Sequence, residues 1–442
     1  MMLIVNAHLV TWGDPCELLT DHALFIQDGR IHETGPTALM REKYRTAEIL
    51  DARGQFVLPG NICAHTHFYG AFARGMSIPG DPPKDFPEIL ERLWWKLDRA
   101  LTPEDVRYSA LVSLVDAVRH GTTTLIDHHA SPNAIDGSLY IIGDAVIESG
   151  LRACLCYEVT DRDGPQRFQA GVDENVRFAK KVSPASGQLS ALFGLHASMT
   201  LSDRSLETCR AAHDGGFHVH VAEHESDEYD SLKRTGTRVL DRLSQAGLLG
   251  PMSIAAHCIH IDQRESMILR DTSTWVTHQP RSNMNNAVGA ADVEGLMRLG
   301  VRVALGNDGF SNAMWEEWKT AYLLHKAVHR DPRRLGGDAV IQMAVRNNAA
   351  LASALFPAAP LGVLQPGAAA DLMIVEYHPT TPLTAGNLPW HMLFGFQSSA
   401  VTGTIASGKV LMLDRKLRFL DEERIAARSR ELSAEVWKRV AG

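Results

Sequence analysis

Two histidines separated by one residue are the first side chains in this chain whose types and spacing could do chemistry. His65 and His67 follow a turn at residues 58–60 (Leu-Pro-Gly) and a short apolar run. On a β-strand, side chains at positions i and i+2 point to the same face. Two imidazoles on one face at a strand end can bind one metal ion together, and histidine is the commonest metal ligand near neutral pH. The pair therefore predicts part of a metal site, whose remaining ligands must come from elsewhere in the chain.

Four further polar residues come at or just after the ends of short apolar runs and could complete such a site. They are His220, Glu223, His257 and Asp308. Each alone is explained as well by a buried polar side chain with satisfied hydrogen bonds. Their recurrence at separate strand ends favours one shared site. His218 faces the same way as His220 but lies one layer deeper, so we interpret it as a packed interior histidine.

The elements that must position these residues alternate between strand and helix patterns. Besides the runs ending at His65 and Asp127, strand patterns lie at residues 152–157, 192–196, 219–223, 253–257, 275–278 and 301–305. A helix is predicted over residues 103–120, with Thr102 as its N-cap. Such alternation predicts a parallel sheet, and eight units predict a (β/α)8 barrel with its chemistry at the carboxyl ends of the strands. A doubly wound sheet is less favoured, because no strand is followed by Gly-x-Gly-x-x-Gly.

The two ends of the chain carry a different pattern. Residues 1–56 contain short β-prone runs and the hairpin signal Asp28-Gly29, and residues 361–420 return to short strands and turns. We predict that both segments form one small β-sandwich domain beside a barrel that spans residues 57–360. A final charged helix is predicted within residues 421–442.

Composition excludes several classes of protein. The 442 residues carry a formal charge of −8, with 22% charged and 45% hydrophobic residues, which is ordinary for a globular protein. No basic cluster could neutralise phosphates, so no nucleic-acid partner is predicted. A run of about 18 apolar residues and a signal-peptide pattern are both absent, so no membrane association is predicted. Six cysteines are too few for a disulfide framework and suit the reducing cytoplasm, where we expect the protein.

Motifs along the whole chain resemble, in content and order, those of the amidohydrolase superfamily, in its branch of cytosine and guanine deaminases and chlorohydrolases (the ATZ/TRZ branch). These motifs are residues 58–67, 121–127, 220–223, 256–258, 306–309 and 366–371. The SsnA group of aminohydrolases is the closest resemblance within this branch. The stretches that carry it are residues 67–69, 93–101, 127–132 and 281–286.

The resemblance implies a role for each strand-end residue. His65, His67, His220 and Asp308 would hold one divalent metal ion, Glu223 would shuttle a proton, and His257 would contact the attacking water together with Asp308. Histidine and carboxylate ligands with an open position suit Zn²⁺, and Fe²⁺ also accepts imidazole ligands. Members with two metals carry a bridging lysine at the end of the fourth strand, whereas residues 193–198 contain no lysine. One metal ion is therefore expected.

The activity implied by the resemblance is hydrolytic deamination of an N-heterocycle such as an oxidised purine, a pterin or a pyrimidine. Water activated by the metal would attack a ring carbon, and ammonia would leave. Three alternatives remain open: opening of a cyclic amide ring, displacement of chloride from a triazine, and an accessory role for selenium- or molybdenum-dependent purine hydroxylases. The family also implies a homodimer, for which the helix containing Trp94 and Trp95 is the predicted interface.

Five residues are predicted to contact the small heterocyclic substrate. They are Tyr69, His129, His196, Arg281 and Asn283. Arg281 and Asn283 follow the strand ending at His278 and could hydrogen-bond a ring carbonyl and a ring amine. A surface salt bridge is the alternative for Arg281. Gly70 stands where guanine deaminases carry a glutamine, so guanine itself is not the favoured substrate.

Overall fold

Residues 1–78, 80–182 and 187–441 are described by a computed structural model of the chain. The strands are β1 Met2–Val10, β2 Leu18–Gln27, β3 Arg30–Pro36, β4 Glu48–Asp51, β5 Phe56–Pro59, β6 Asn61–Thr66, β7 Thr122–His129, β8 Arg152–Tyr157, β9 Leu189–Ala191, β10 Phe193–Ala197, β11 Phe217–Val221, β12 Ile254–His257, β13 Trp275–His278, β14 Val303–Leu305, β15 Leu372–Val375, β16 Val401–Ala406, β17 Lys409–Leu413 and β18 Lys416–Leu417.

The helices connect and flank these strands. They are α1 Thr37–Lys43, α2 Phe86–Ile89, α3 Trp95–Ala100, α4 Pro103–Arg119, α5 Ser138–Ser149, α6 Pro165–Lys181, α7 Asp203–Ala212, α8 Glu225–Thr235, α9 Val239–Gln245, α10 Gln263–Asp271, α11 Pro280–Asn285, α12 Val293–Arg298, α13 Met314–His329, α14 Gly337–Ile341, α15 Asn348–Leu355, α16 Leu388–Phe394 and α17 Glu422–Ala441. Short 3₁₀ or π-helical turns lie at Phe68–Ala73, Leu90–Trp94, Ser198–Thr200, Gln342–Asn347 and Ser398–Ala400.

Eight parallel strands of the described residues form the barrel. β6, β7 and β8 pair in order, with β9 beside β8, and β10 to β14 pair in order. The two groups meet at two seams, where Val159 bridges Leu195 and Thr66 bridges Asp308. At the second seam the His67 amide donates to the Asp308 carbonyl at 3.1 Å. The predicted (β/α)8 barrel is confirmed, and its closure brings the end of its first strand beside the residues that follow its last.

The helix predicted over residues 103–120 is α4, and its start follows from local sequence. Thr102 Oγ1 accepts a hydrogen bond from the Asp105 amide, and the Asp105 carboxylate accepts one from the Thr102 amide at 2.8 Å. This capping box satisfies two backbone donors that a helix start leaves unpaired. Gly121 follows the helix with φ of 70°, and a Cβ there would lie 2.9 Å from the Cβ of Met373. A glycine is therefore required where the chain turns into β7.

The strands of both chain ends join in one sheet. Its order is β18-β17-β16-β15-β5-β1-β2-β3, with β4 beside β1. Gly60 alone separates β5 of this sheet from β6 of the barrel, and a Cβ at Gly60 would lie 2.3 Å from Cγ2 of Thr123. The sheet thus holds the start of the barrel strand that carries His65. The division of the chain into domains at residues 56, 360 and 420 remains a prediction.

A buried ion pair connects this sheet to the barrel. Arg152, at the start of β8, donates to both carboxylate oxygens of Asp371, at 3.2 and 3.3 Å, and to Ser407 Oγ at 3.1 Å. The Ser407 amide donates to the same carboxylate at 2.7 Å. Both charged side chains are almost fully buried, at 6% and 3% exposure. Each charge is therefore compensated only by its partner and by these neutral hydrogen bonds.

The last helix, α17, covers one side of the barrel. Ile425, Leu432 and Val436 are buried along one stripe, and Trp437 Nε1 donates to the Phe72 carbonyl at 2.7 Å. This contact reaches the turn that follows His67. The helix is long, but its other face is charged, and among the described residues no helix is apolar enough over a sufficient length to cross a membrane.

Arg152→Met is expected to destabilise the protein by about 3–5 kcal/mol, because it leaves the Asp371 carboxylate buried without its countercharge. Denaturant unfolding followed by circular dichroism measures the change. Arg107→Met is the matched control, since its partner Glu148 is 41% exposed and such surface pairs contribute about 0–1 kcal/mol. Equal losses in the two variants would contradict a special role for the buried pair.

Candidate metal centre and active site

Two histidine side chains at this end of the barrel have their protonation fixed by backbone carbonyls. His67 Nδ1 lies 2.6 Å from the His128 carbonyl, and His220 Nδ1 lies 2.9 Å from the His196 carbonyl. A carbonyl only accepts hydrogen bonds, so both Nδ1 atoms carry the proton and, in the neutral rings, both Nε2 atoms are lone-pair acceptors. These two Nε2 atoms face each other at 3.2 Å. A cation between them removes the repulsion between their lone pairs.

Asp308 adds a negative charge at the same point. Its Oδ1 lies 3.0 Å from His67 Nε2 and 3.2 Å from His65 Nε2. Burial alone would lower the pKa of His67, but the neighbouring Asp308 carboxylate outweighs it and raises that pKa to about 9. Burial alone would raise the pKa of Asp308, and the charge of His67 holds it well below its usual range. Both directions show that positive charge is favoured among these side chains.

Three side chains behind the cluster orient its members. His218 Nε2 lies 2.8 Å from His65 Nδ1, Ser282 Oγ donates to Asp308 Oδ2 at 2.5 Å, and Asn283 Oδ1 accepts from His257 Nδ1 at 2.9 Å. When His65 Nδ1 donates to His218, its Nε2 is free to face Asp308. Partners of this kind fix the tautomer and the direction of metal-binding side chains. His218 is fully buried, which agrees with its interpretation as a packed interior histidine.

The cluster has the donor set that a divalent metal requires. His65, His220, His257 and Asp308 each offer a ligand atom, and these four atoms lie within 4.8 Å of one another. His67 lies within hydrogen-bond distance of two of them. Imidazole nitrogen and carboxylate oxygen are the ligands that zinc accepts. The residues present therefore fit a metal ion that rests on His65, His67, His220 and Asp308.

Glu223 and His257 lie next to the proposed metal position, and His257 has a ring nitrogen without a hydrogen-bond partner. His257 Nε2 is buried and makes no hydrogen bond, and it lies 3.5 Å from Glu223 Oε2. Burial, and then the charge of Asp308, raise the pKa of Glu223 well above its usual range. Burial therefore favours the protonated form of Glu223, which lies beside an imidazole with a free acceptor nitrogen, and this arrangement is suited to proton transfer.

The backbone at these strand ends is strained. The φ angle is 71° at His257, 56° at Asp308 and 45° at Ala222, which immediately precedes Glu223. Non-glycine residues in the left-handed region cost about 1–3 kcal/mol each and cluster at active sites and ligand sites. Strain at three residues around one cluster supports a functional role for it.

A cavity of about 750 Å³, partly open to solvent, lies above the cluster. One side is apolar and largely aromatic, and consists of Tyr69, Phe86, Leu90, Trp94, Trp95 and Met199. The π-helical turn Leu90–Trp94 contributes two of these side chains, and such turns recur at functional sites. Gly70 and Gly309 lie close to the Trp94 ring, where a Cβ would be 3.6 Å away. The cavity thus offers flat apolar walls to a planar ring.

The lining of the cavity also includes three hydrogen-bond acceptors, Asp98, Glu158 and His196, which we call the acceptor face. All three line the cavity and are more than nine-tenths buried. Thr200 Oγ1 lies 3.2 Å from the Ala197 carbonyl and 2.8 Å from His196 Nδ1. When the hydroxyl donates to the carbonyl, His196 Nδ1 donates to Thr200 Oγ1 and His196 Nε2 is an acceptor. Burial lowers the pKa of His196 to about 4, which keeps the ring neutral at physiological pH.

The residues predicted to contact substrate fall into two groups. Tyr69 and His196 line the cavity. Arg281, Asn283 and His129 are not among its lining residues. Arg281 donates to Glu317 at 2.5 Å and to the Ser311 carbonyl at 2.7 Å, so its guanidinium connects α11 to α13.

Local hydrogen-bond partners also explain why Asn283 and His129 do not line the cavity. Asn283 is fully buried behind His257, and His129 Nε2 bonds to Ser131 Oγ at 2.9 Å. Sequence analysis missed Glu158, Asp98 and Ser282. Glu158 had a usable signal, because it directly follows β8, and Asp98 and Ser282 lie within the stretches 93–101 and 281–286 that carry the family resemblance.

Trp94 and Trp95, the predicted dimer interface, line the cavity, and Trp95 also packs 5.3 Å from the Arg162 guanidinium. Their aromatic surface is therefore used inside the chain. The homodimer itself stays a prediction.

His220→Ala is expected to lose the bound metal while keeping the fold, because it removes one of the converging Nε2 atoms and leaves the large apolar core of the barrel intact. Elemental analysis of the purified full chain measures metal content, and circular dichroism checks the fold. His129→Gln is the matched control, a buried histidine outside the cluster that should leave metal content unchanged. Full metal occupancy in His220→Ala would contradict the proposed ligand set.

Known proteins are similar to this chain in sequence and in fold over nearly their whole length. The chain is 31% identical to the 5'-deoxyadenosine deaminase of Methanosarcina mazei, over 99% of both chains. It is 32% identical to the 5-methylthioadenosine/S-adenosylhomocysteine deaminase of Pelotomaculum thermopropionicum, over 97% of both chains. Its fold matches that of a zinc-bound adenosine deaminase from Xanthomonas campestris with a TM-score of 0.85 and 24% identity, over 99% of this chain and 98% of the other. Residues 56–411 match the family described as Amidohydrolase family. The chain therefore belongs to the amidohydrolase family.

Proposed function

We propose that this chain removes ammonia from the amino-bearing ring of an adenosine derivative, with one zinc ion held by His65, His67, His220 and Asp308. The family and its deaminase relatives establish a metal-dependent hydrolase of non-peptide carbon–nitrogen bonds that deaminates an N-heterocycle. The proposal adds the ring, the metal and the residues. The observation that carries it is the convergence of two Nε2 lone pairs and the Asp308 carboxylate beside Glu223 and His257.

Zinc is proposed because the donor set is imidazole nitrogen and carboxylate oxygen. Fe²⁺ accepts the same ligands and is the alternative that metal analysis would distinguish. When bound, the divalent ion supplies Lewis-acid activation of a water molecule. All remaining steps belong to side chains of this chain.

Three side chains would handle the protons. Asp308 Oδ1 and His257 Nε2 are positioned to orient water and to accept its proton, since each presents an acceptor atom to the same space. Glu223, whose pKa is raised by burial, can hold a proton and donate it to a ring nitrogen. That protonation makes the neighbouring ring carbon more electrophilic, and a second transfer to the exocyclic nitrogen lets it leave as ammonia.

The cavity fits the proposed kind of substrate. The walls formed by Tyr69, Trp94 and Trp95 suit a planar heterocycle, because aromatic faces stack on flat rings. Glu158 and His196 of the acceptor face lie beside His220, since ligand atoms of these three residues lie within 4.8 Å of one another, and they would meet polar groups of the substrate next to the metal. All six cysteines are free thiols, which supports our proposal that the enzyme works in the cytoplasm.

Metal-loaded enzyme is expected to release ammonia from adenosine or 5'-deoxyadenosine faster than from any other ring in a panel. The panel contains guanine, 8-oxoguanine, a pterin, cytosine, a cyclic amide and a chlorotriazine, and is read by absorbance and by an ammonia assay. Ammonia from an oxidised purine or pterin alone would overturn the adenosine assignment and keep the deaminase. Chloride release, or ring opening without ammonia, as the fastest reaction would contradict deamination as the main activity.

Glu223→Gln is expected to keep metal and substrate binding but to lower kcat by roughly 10²–10⁴-fold, because the amide keeps the shape and cannot shuttle a proton. Asp308→Asn is the comparison variant, and it should lose both metal and rate because it serves the metal and the water together. Metal content, substrate KM and kcat are measured on both. Retention of most turnover by Glu223→Gln would show that the proton shuttle is another group.

A further inference from the structure

The cavity contains several carboxylates and, among its described lining residues, no lysine or arginine. The acidic residues that line it are Asp98, Glu158, Glu223, Asp227 and Asp308. Asp308 faces the proposed metal, and Glu223 has a pKa raised by burial, so both are accounted for by the metal centre. Asp227 accepts from the Met199 amide at 2.7 Å and from the Ala222 amide at 3.0 Å. The carboxylates of Asp98 and Glu158 remain without a role in the chemistry.

Glu158 is ionised despite its burial. Burial alone would raise the pKa of Glu158, but interactions with His196, His128 and Arg162 outweigh burial and hold that pKa well below its usual range. Glu158 Oε2 lies 3.3 Å from His128 Nδ1, while Oε1 is 3.8 Å from His196 Nε2, beyond hydrogen-bond distance. With the proton on Nδ1, His196 Nε2 is itself an acceptor and cannot donate to Oε1. The free oxygen of Glu158 and the free nitrogen of His196 therefore face the same space.

Asp98 extends the same surface. One of its oxygens, Oδ2, accepts from Arg162, whereas Oδ1 is buried and makes no hydrogen bond. Burial raises the pKa of Asp98 to about 7, against the opposing effect of Arg162. The Arg162 guanidinium is also paired with Asp163, is 8% exposed and lies against the Trp95 ring outside the lining of the cavity. Arg162 is not among the residues that line the cavity, but its Nε and Nη1 atoms make no hydrogen bond, so its guanidinium is only partly paired.

We infer that the acceptor face is a charge filter: it binds hydrogen-bond donors of a neutral or cationic substrate and excludes substrates with an anionic group on that side, and Glu158 is the residue that sets this specificity. The inference rests on the proposed function for the orientation of the substrate, with the reacting ring at the metal. Donors such as hydroxyl, amino or ring N–H groups pair with Glu158 Oε1 and His196 Nε2, and the Asp98 carboxylate adds negative charge beside them. A phosphate or carboxylate on that side would give up its hydration next to the Glu158 carboxylate, and no lysine or arginine among the described lining residues would compensate it.

The filter can be tested without knowing the natural substrate. Benzohydroxamic acid binds divalent metals through its hydroxamate, and its planar ring suits the apolar walls. Three compounds are compared: the neutral parent, a cationic aminomethyl derivative and an anionic carboxylate derivative. Isothermal titration calorimetry with metal-loaded full-length protein gives a Kd for each compound.

In the wild type, the anionic compound is expected to bind at least about 10-fold more weakly than the neutral parent, and the cationic compound at least as tightly, since like-charge contacts oppose binding. Glu158→Gln should reduce the ratio of the Kd of the anionic compound to the Kd of the cationic compound by about 10-fold, because it keeps the shape of the side chain and removes its charge. Asp98→Asn is a second variant on the same face and should reduce this ratio in the same direction. Melting temperature and metal content establish that each variant is folded and loaded.

Glu88→Gln is the matched control. Glu88 lies on α2 next to the cavity residue Phe86, but its carboxylate pairs with Lys84 and Arg92 outside the cavity. The same change of charge there should leave all three Kd values unchanged. An effect equal to that of Glu158→Gln would mean that net charge, and not the acceptor face, controls binding.

Equal binding of the anionic and neutral compounds by the wild type overturns the inference, whether or not the variants fold. If Glu158→Gln folds and still discriminates between the anionic and cationic compounds as the wild type does, Glu158 does not set the specificity of the charge filter. Failure of all three compounds to bind the metal-loaded protein also overturns it, because the cavity would then not admit a planar ring to the metal. If the protein discriminates between the compounds by charge but deaminates no ring in the panel, the charge filter stands and the proposed function is refuted. Failure of the charge filter can therefore be distinguished from failure of the proposed function.

Discussion

A backbone carbonyl can only accept a hydrogen bond, and the site depends on this restriction. The carbonyls of His128 and His196 oblige His67 and His220 to carry their protons on Nδ1. Two bare Nε2 atoms then meet each other and the Asp308 carboxylate within hydrogen-bond distance, with no proton to share in the neutral state. Positive charge at this point, either a proton on His67 or a bound cation, removes the repulsion within the cluster. The protein thereby prepares a metal site from groups that its own fold has already oriented.

Barrel closure is what assembles this cluster. His65 belongs to β6, the first barrel strand, and Asp308 follows β14, the last, yet the Asp308 amide donates to the His65 carbonyl at 3.0 Å. Separation of this seam would divide the ligands between two independent pieces of sheet. Metal binding and barrel formation therefore stabilise each other, as is general where a site is absent from the unfolded chain. The sheet formed by the chain ends contributes by fixing the start of β6 through β5 and Gly60.

Two carboxylates in one cavity behave in opposite ways because their neighbours differ. Glu223 is buried near the negative charge of Asp308, which raises its pKa, whereas Glu158 is surrounded by His128, His196 and Arg162, which lower its pKa. The first is suited to carry a proton and the second to remain an anion. Environments that shift the pKa values of two similar groups in opposite directions are a general means of assigning different tasks to them.

The sequence by itself predicted the barrel and six strand-end residues, His65, His67, His220, Glu223, His257 and Asp308, which the structure brings together in one cluster. Repeated strand and helix patterns count the units, and a polar residue at the end of an apolar strand must lie at the carboxyl end of a parallel barrel. Only the tertiary structure decided which other polar side chains enter the cavity. Arg281 turns away because Glu317, on a helix that follows much later, neutralises it, and Asn283 turns behind His257.

The reverse holds for Glu158, which lies in a charged stretch with Asp161, Arg162 and Asp163 that reads locally as a solvated loop. Its burial follows from imidazoles on two other strands and from the Arg162–Asp98 pair. Periodicity along a chain specifies which face a strand or helix buries, because that depends on near neighbours. The direction of a charged side chain depends on a countercharge from a distant element, and that partner is defined only once the barrel has closed.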